Sequence, residues 1–209
     1  MDWIVYLYPL GFISILCFGL RFFFQWLESE LKGECVVSRN FWVISIIGNF
    51  ALLVHSMIQR QFHVSIVQVI NTVISWRNIN LLGPAEKQYN FSTVVGMICV
   101  GFFSVVLFFI AGEYFLPKEH ADWFRIPQTP WNAPTRSEIP FLLHVFGFLG
   151  IGMFACRFWI QWWYAEVYKR SFLGKNFWYL SLAGNLFSLT YFLYIFDPVN
   201  FVRDGQVST

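Results

Sequence analysis

The chain has 209 residues, of which 57% are hydrophobic, 22% aromatic and only 12% charged. Soluble domains carry about 25% charged residues, so this composition excludes a soluble enzyme and a disordered chain and predicts an integral membrane protein. The mean hydropathy of +0.54 agrees with that class. A formal net charge of +2 provides no basic surface for a phosphate backbone, and no nucleic-acid partner is expected.

Six apolar segments follow one another along the chain, each long enough to cross the hydrocarbon core as a helix. They cover 3–26 (interrupted by Arg21), 41–58, 62–82, 91–112, 139–165 (interrupted by Arg157) and 177–196. The excess of Lys and Arg in the short connections favours a periplasmic N-terminus by the positive-inside rule.

The long connection 113–140 contains five of the eight prolines and two tryptophans. It is interpreted either as an interfacial loop that covers one mouth of the bundle or as a plain linker.

The chain overlays itself when it is shifted by 136 residues. Between Gly11 and Leu53, 16 of 43 positions are identical, where about three would match by chance in a chain so rich in Phe and Leu. Four crossings separate the first span from the fifth, so the two halves point the same way across the membrane. The predicted fold is all-α, with two parallel three-helix repeats in a SWEET-like plan. The first repeat covers 1–85, a linker helix and interfacial loop cover 86–138, and an incomplete second repeat of two spans and a short tail covers 139–209.

An arginine recurs near the end of the first helix of each half, as Arg21 and Arg157. Gln25 and Gln161 follow one helical turn later on the same face. An arginine fork with an amide donor beside it predicts a receptor for a phosphate or carboxylate at headgroup depth. The alternative is that each arginine snorkels to the interface while the glutamine holds a backbone group.

Two other repeated pairs have structural interpretations. Glu30 and Glu166 are predicted to face water or to pair with a cation after the following turn. Asn40 and Asn176 stand just before a Phe-Trp pair and are predicted to be helix N-caps.

A second group of polar residues is predicted to line a path for a hydroxyl-rich headgroup. Residues of this group recur at helical spacing in the second and sixth spans, and others form a polar stripe with Ser75 on the third span. The alternative is that they are hydrogen-bonded between helices, with Gly48 and Gly184 allowing close approach. The predicted path residues are Ser45, Asn49, Gln68, Asn71, Asn78, Ser181 and Asn185.

Enzymatic chemistry has no support from motifs. There are no paired carboxylates, no nucleophile-base pattern, no phosphate loop and no metal-ligand spacing, so neither catalytic residues nor a metal nor a cofactor is predicted. The four cysteines are expected to be free thiols, and His55 and His144 to be isolated histidines.

The two halves resemble the lipid-A-disaccharide synthase N-terminal-like domain in tandem copies. The pairs RFFFQWLESE/NFWVISIIGN and RFWIQWWYAE/NFWYLSLAGN carry this resemblance. The family's entry to its third helix is represented by Asp197-Pro198 in the second copy and by Gln61-Phe62 in the first, and its late Arg-Asn pair by Arg77-Asn78. The matching residues are Gly11, Arg21, Gln25, Trp26, Phe41, Trp42, Ser45, Gly48 and Asn49 in the first copy, and Gly147, Arg157, Gln161, Trp162, Phe177, Trp178, Ser181, Gly184 and Asn185 in the second.

This resemblance implies the three-helix-bundle superfamily that contains PQ-loop proteins and SWEET sugar transporters, although the PQ signature is missing from the spans. The family name implies lipid A biosynthesis. Since no glycosyltransferase-like domain is expected in this sequence, disaccharide synthase activity is not expected either. What the resemblance implies is a role in envelope glycolipid assembly at a bacterial inner membrane.

The leading hypothesis is a non-enzymatic inner-membrane protein that binds or translocates a lipid-linked phosphorylated sugar or a lipid A precursor. Arg21 and Arg157, assisted by Gln25 and Gln161, would hold the phosphate. One alternative is a SWEET-like facilitator of small sugars. Another is a membrane anchor that recruits a glycosyltransferase. The sequence is compatible with an oligomer.

Overall fold

The computed structural model describes residues 7–33, 37–116, 122–124, 140–168 and 175–194. The predicted all-α class is confirmed, and each predicted span falls on one helix. The helices are α1 (Pro9–Lys32), α2 (Arg39–Ile58), α3 (Phe62–Leu81), α4 (Phe91–Phe115), α5 (Phe141–Tyr168) and α6 (Lys175–Tyr194), with a 3₁₀ turn at Ala85–Lys87 between α3 and α4.

Four of these helices, namely α1, α2, α4 and α5, are long and apolar enough to cross a membrane. The other two, α3 and α6, have 20 residues each, which is the length that a span requires. They are less apolar because polar side chains interrupt them, so their crossing stays a prediction. The four apolar helices are enough to make the chain a membrane protein.

The helix ends are formed by short-range chemistry. The Ser38 and Asn90 side chains each accept a hydrogen bond from the backbone N–H three residues later and so cap α2 and α4. Gly33 ends α1 with a φ of 66°, a left-handed conformation that suits glycine. The predicted caps at Asn40 and Asn176 are wrong, because α2 already begins at Arg39 and α6 at Lys175, which places both asparagines inside the first turn.

Close contacts join α1 to α2, α2 to α3, α3 to α4 and α5 to α6. A Cβ placed on Gly48 of α2 would lie 2.9 Å from the Cβ of Cys17 on α1, so the predicted close approach at Gly48 is found. At the α5–α6 contact, Gly150 lies against the backbone of Ser188. Helix α3 packs against α2, α4 and α5 and thereby connects the first pair of helices to the last.

Helix α4 is attached to the bundle near its C-terminal end. Its Phe109 is fully buried, and the guanidinium of the buried Arg60, at the turn between α2 and α3, lies 4.5 Å from the centre of the Phe109 ring. Arg60 also donates a hydrogen bond to the Phe109 carbonyl, at 3.2 Å. Most of the rest of α4 is exposed, as a helix that faces lipid would be.

The described part of the long connection lies on the α2–α3 turn. The carbonyl of Trp123 accepts a hydrogen bond from the Phe62 N–H at 3.0 Å, and its indole donates to Glu113 at the end of α4. The indole ring also contacts Phe62 and Phe109. Residues 122–124 therefore cover the bundle end, as an interfacial loop would, while Trp131 lies outside the described residues.

Candidate functional site

The two repeated arginines make the same contact in the two halves of the chain. Arg21 of α1 donates to the Ser45 hydroxyl of α2 at 3.2 Å, and Arg157 of α5 donates to the Ser181 hydroxyl of α6 at 2.9 Å. Only 3% and 4% of these arginines are exposed. Each guanidinium lies over a phenylalanine ring, that of Phe18 or Phe158, within 5 Å of the ring centre. Both cations are therefore inside the bundle and do not snorkel.

Amide and hydroxyl groups join α3 to its neighbours. Asn49 donates to the Ser75 hydroxyl at 3.4 Å. Asn78 and Gln161 exchange two hydrogen bonds, of 3.2 and 2.8 Å, between α3 and α5. In this conformation these residues fit the interhelical alternative raised by the sequence. Buried amide pairs of this kind fix helix register, because either partner alone would be left unsatisfied.

An ion pair lies beside this amide pair. The guanidinium of Arg77 donates to both carboxylate oxygens of Glu166, at 2.5 and 2.8 Å, and its remaining nitrogen donates to Asn80 and to the Tyr89 carbonyl. Both charges are buried. The prediction that Glu166 faces water or pairs with a cation after the following turn is wrong, since its partner is on α3, whereas Glu30 is exposed as expected.

Sequence reasoning missed this pair because its partners are 89 residues apart. A signal was present. Arg77 interrupts an apolar segment, and a buried arginine requires a counter-charge on another helix. Glu166 is an acidic residue near the end of an equally apolar segment, which makes it a candidate for that counter-charge.

Four of these contacts follow one another because their residues are three or four positions apart along the shared helices, and we call this set the polar seam. It passes from α1 through α2, α3 and α5 to α6 and bypasses α4. Its residues are Arg21, Ser45, Asn49, Ser75, Asn78, Gln161, Arg157 and Ser181. The other predicted site residues, Gln25, Gln68, Asn71 and Asn185, are buried on the same helices.

A cavity of about 250 Å³ opens beside one end of the seam, where α5 ends and α6 begins. Lys175, an exposed cation, stands at its rim together with Asn176. The stacked rings of Tyr164 and Tyr168 supply two phenols, with ring centres 6.2 Å apart. Among the predicted site residues, Gln161 lines this cavity. Its full lining is Ile160, Gln161, Tyr164, Tyr168, Lys175, Asn176 and Phe177.

Such a lining suits an anionic, hydroxyl-rich group. The ammonium attracts the anion, and the first turn of α6 adds the positive end of a helix dipole. Amide and phenol groups supply donors and acceptors for hydroxyls. Sequence reasoning assigned a structural role to Asn176 and left Lys175 and the tyrosines aside, because only the fold brings them to Gln161.

The cysteines and histidines singled out in the sequence either are buried or free side chains outside the polar seam, or lie outside the residues that the structure describes. Cys17, Cys99 and Cys156 are free thiols. In the part of the chain that the structure describes, no three His, Cys, Asp or Glu side chains come together as a metal site. His55 is buried against Tyr8, with ring centres 5.0 Å apart. The side chain of His144 lies outside the described part.

Helices with apolar outer faces and a buried polar seam define a polytopic α-helical membrane protein. The chain belongs to the Lipid A Biosynthesis N-terminal domain family, whose sequence profile matches residues 10–80 and again residues 146–207. The two matches begin 136 residues apart, which is the offset of the internal repeat. The family resemblance seen in the sequence is thereby confirmed.

Similar proteins include lipid-A-disaccharide synthases of Chlamydia. The proteins of Chlamydia pneumoniae and Chlamydia muridarum are each 34% identical to this chain, over 199 and 202 residues. These matches cover 95% and 96% of this chain but 31% and 32% of those proteins. The protein of Chlamydia felis is 32% identical over 205 residues. The chain thus spans about a third of the length of these curated relatives. No solved structure matches it.

Proposed function

We propose that this chain is a non-enzymatic module of the bacterial inner membrane that binds and translocates the phosphorylated sugar headgroup of a lipid A precursor. Family membership supports the link to lipid A biosynthesis. The observation that carries the proposal is the cavity between the ends of α5 and α6, where Lys175, Asn176 and two tyrosines surround the buried Gln161.

The headgroup binds first at the rim of this cavity. Lys175 attracts the phosphate from solvent, because it is exposed and lies in the first turn of α6. Asn176, Tyr164 and Tyr168 then hydrogen-bond the sugar hydroxyls. The acyl chains remain in the lipid beside α5 and α6, whose exposed side chains at this end, Trp163 and Tyr179 among them, are aromatic.

Translocation takes the headgroup from this cavity along the polar seam. Arg157 lies one turn before Gln161 on α5, and Arg21 and Gln25 occupy the same relation on α1. As the helices separate, the phosphate replaces the Ser181 hydroxyl on the Arg157 guanidinium or the Ser45 hydroxyl on the Arg21 guanidinium. The buried amides and hydroxyls then line the path of the sugar. They are Ser45, Asn49, Gln68, Asn71, Asn78, Ser181 and Asn185.

The motion in this proposal is a rocking of two parallel repeats, 1–85 and 139–209, about the linker formed by 86–138. The N-terminus is periplasmic, so that the cavity faces the cytoplasm. The identical Arg–Ser contacts of the two halves support this division.

Binding of a monophosphorylated lipid A precursor to the purified chain in detergent, followed by native mass spectrometry, tests the cavity. Lys175→Ala is expected to weaken binding roughly tenfold, which corresponds to the loss of one charge-assisted hydrogen bond. Arg39→Ala is the matched control, because Arg39 is the exposed cation at the corresponding position of the first half. Equal affinity of the Lys175→Ala variant and the unaltered chain would contradict the cavity assignment.

The seam is tested separately, by translocation of the same lipid in proteoliposomes. The double variant Arg21→Ala/Arg157→Ala is expected to retain binding at the cavity but to lose translocation. The variant's helix content and unfolding temperature must match those of the parent for the assay to count. Full translocation by this folded variant would contradict the role of the arginines.

A second candidate is an anchor that recruits a glycosyltransferase to the membrane. The observation that favours it is that the matching relatives are about three times as long as this chain and are named as disaccharide synthases. It predicts that a glycosyltransferase stays with the chain through detergent purification and leaves the membrane when the chain is deleted. A SWEET-like facilitator would instead transport free sugar in proteoliposomes, and no contact in the described part of the chain favours it.

A further inference from the structure

His55 is a titratable side chain inside the bundle that the glycolipid path does not use. It lies in the last turn of α2 and is only 1% exposed. Its ring meets that of Tyr8, at the start of α1, with the ring centres 5.0 Å apart and the planes at 75°. Ionisable residues are rare within membrane helices and commonly mark ion or proton sites. His55 is therefore a candidate for such a site.

The surroundings of His55 are shared between both halves of the chain. Tyr8 belongs to a hydrophobic cluster that also contains Tyr191 of α6, and both tyrosines are buried. The Tyr191 ring lies against α5, because a Cβ on Gly147 would be 2.8 Å from it. We call His55, Tyr8 and Tyr191 the His–Tyr cluster. It lies at the end of the bundle opposite the cavity, where α1 begins and where α2 and α6 end.

The internal repeat exchanges the two residue types of this cluster. The shift of 136 residues matches Tyr8 with His144 and His55 with Tyr191. Each half of the sequence therefore has one histidine and one tyrosine at the two corresponding positions, in opposite order. Packing alone would be served by any two aromatic rings, whereas one imidazole in each half indicates a use for a group that binds a proton.

The side chains that face His55 are phenolic or apolar. The Tyr8 phenol faces it from α1, and the cluster on Tyr8 adds the Tyr191 phenol from α6 and the aliphatic Val64 from α3. On α1, the thiol-bearing Cys17 lies at the level of Gly48, two turns before His55 along α2.

The nearest described residues of basic type point to other parts of the fold. The guanidinium of Arg60 lies over the Phe109 ring of α4. The ring of His63, in the first turn of α3, is stacked on that of Phe124. The neutral imidazole of His55 fits its apolar surroundings. An imidazolium there would lose its hydration, so it favours a conformation in which water reaches the cluster.

We propose that His55 is a proton-binding site whose protonation opens the end of the bundle opposite the cavity. The proton comes from water on that side, binds the imidazole and returns to the same side when the end closes. Opening separates α1 from α6, which carry Tyr8 and Tyr191 and belong to different repeats. This inference rests on the proposed function, because the headgroup leaves the polar seam at this end. Acidity on that side should therefore speed its release.

The distance between α1 and α6 is the direct readout, and it requires no lipid substrate. Spin labels are placed by Phe12→Cys and Leu193→Cys, at exposed positions near the cluster, in the full chain with its native cysteines replaced by serine. In nanodiscs we expect a longer label-to-label distance at about pH 5.5 than at about pH 7.5. His55→Gln should keep the shorter distance at both pH values. His63→Gln is the matched control and should retain the pH response.

An exchange of the two residues follows the order of the second half. Tyr8→His/His55→Tyr moves the imidazole from α2 to α1 and should restore the pH response that His55→Gln loses. A response that persists in His55→Gln would overturn the proposal. An exchanged variant with the helix content and unfolding temperature of the parent, but without a pH response, would overturn it as well.

Translocation in proteoliposomes separates this proposal from the proposed function. The pH is equal on both faces, so no gradient drives transport. The parent should translocate the lipid severalfold faster at about pH 5.5 than at about pH 7.5. His55→Gln should show only the pH dependence of the lipid phosphate, which titrates at about pH 6.

Two outcomes distinguish the two failures. A parent chain whose helices separate at low pH through His55 but which moves no lipid would support the proton site and contradict the proposed function. A parent chain that translocates the lipid with the same pH profile as His55→Gln would contradict the proton site and leave the proposed function supported.

Discussion

Arg77 is held by three partner residues, and its environment explains why. A guanidinium buried at membrane depth keeps its charge, so every N–H must find an acceptor. Glu166 accepts two of these hydrogen bonds, and Asn80 and the Tyr89 carbonyl accept one each. Three separate segments of the chain are thus fixed by one side chain.

Removal of one partner of this ion pair should be strongly destabilising. Glu166→Ala leaves the Arg77 charge buried and unpaired, and we expect it to lower the free energy of unfolding in detergent by about 3–5 kcal/mol. Unfolding is measured by denaturant titration of the helical circular dichroism signal. Glu30→Ala is the matched control, since the corresponding carboxylate is exposed and should change stability by less than about 1 kcal/mol.

A double variant distinguishes the cost of leaving one buried charge unpaired from the contribution of the ion pair itself. Arg77→Met/Glu166→Leu removes both charges and should recover most of the stability that Glu166→Ala loses, because a buried pair is often replaceable by apolar residues. If Glu166→Ala and Glu30→Ala proved equally stable, the pair would not be buried in solution.

At the scale of the helices, a glycine determines how closely α1 and α2 pack. Gly48 allows α2 to touch α1 at the level of Cys17 and Phe18. Small residues have this role in membrane helix pairs, where the surrounding lipid provides no hydrophobic driving force between helices. The seam residues Ser45 and Asn49 flank this contact, so the polar groups depend on the distance that the glycine sets.

Two Gly→Ala substitutions should therefore change the free energy of unfolding in opposite directions. Gly48→Ala places a methyl group 2.9 Å from the Cβ of Cys17 and should cost about 1–3 kcal/mol through overpacking. Gly96→Ala, on α4, meets nothing within 4 Å and should gain up to about 1 kcal/mol from helix propensity. Thermal unfolding in the same detergent compares the two. A stabilised Gly48→Ala variant would contradict the close packing.

Hydropathy and spacing predicted five of the six helices to within three residues, because apolar length is a local property; α1 runs to Lys32, six residues past the predicted end of the first span. They also located Arg21, Gln25, Arg157 and Gln161 on the helices that hold them. The cap at Ser38 and the partner of Glu166 were missed. The Ser38 cap depends on where the helical backbone of α2 begins, and the partner of Glu166 depends on which helix α3 contacts. Neither is determined within a single segment.

On the scale of the whole molecule, lipid contact is uneven. Helix α4 is attached through Phe109 and Arg60, and its exposed side chains include Val100, Phe103 and Leu107. Helices α3 and α6 are more polar because α3 is enclosed by three neighbours and α6 faces α5 with its serines. Of the four helices apolar enough to cross a membrane, α4 is thus both the most exposed and the most apolar.

This arrangement predicts the environment of a spin label on α4. Cys99 is exposed in the N-terminal half of that helix. With the other cysteines replaced by serine, a label on Cys99 in liposomes should be more accessible to oxygen than to a polar nickel chelate. Glu86→Cys, in the 3₁₀ turn, should show the reverse order. A label at Cys99 that behaves as the label at position 86 would contradict the membrane position of α4.

The Arg77–Glu166 pair also has a consequence for synthesis of the chain. Arg77 leaves the ribosome 89 residues before Glu166, a delay of about 4–18 s at ordinary elongation rates of 5–20 residues per second. During that time α3 carries a cation without its counter-charge and cannot settle stably among lipid tails. If α3 crosses the membrane as predicted, we therefore expect it to integrate stably only after α5 has been made.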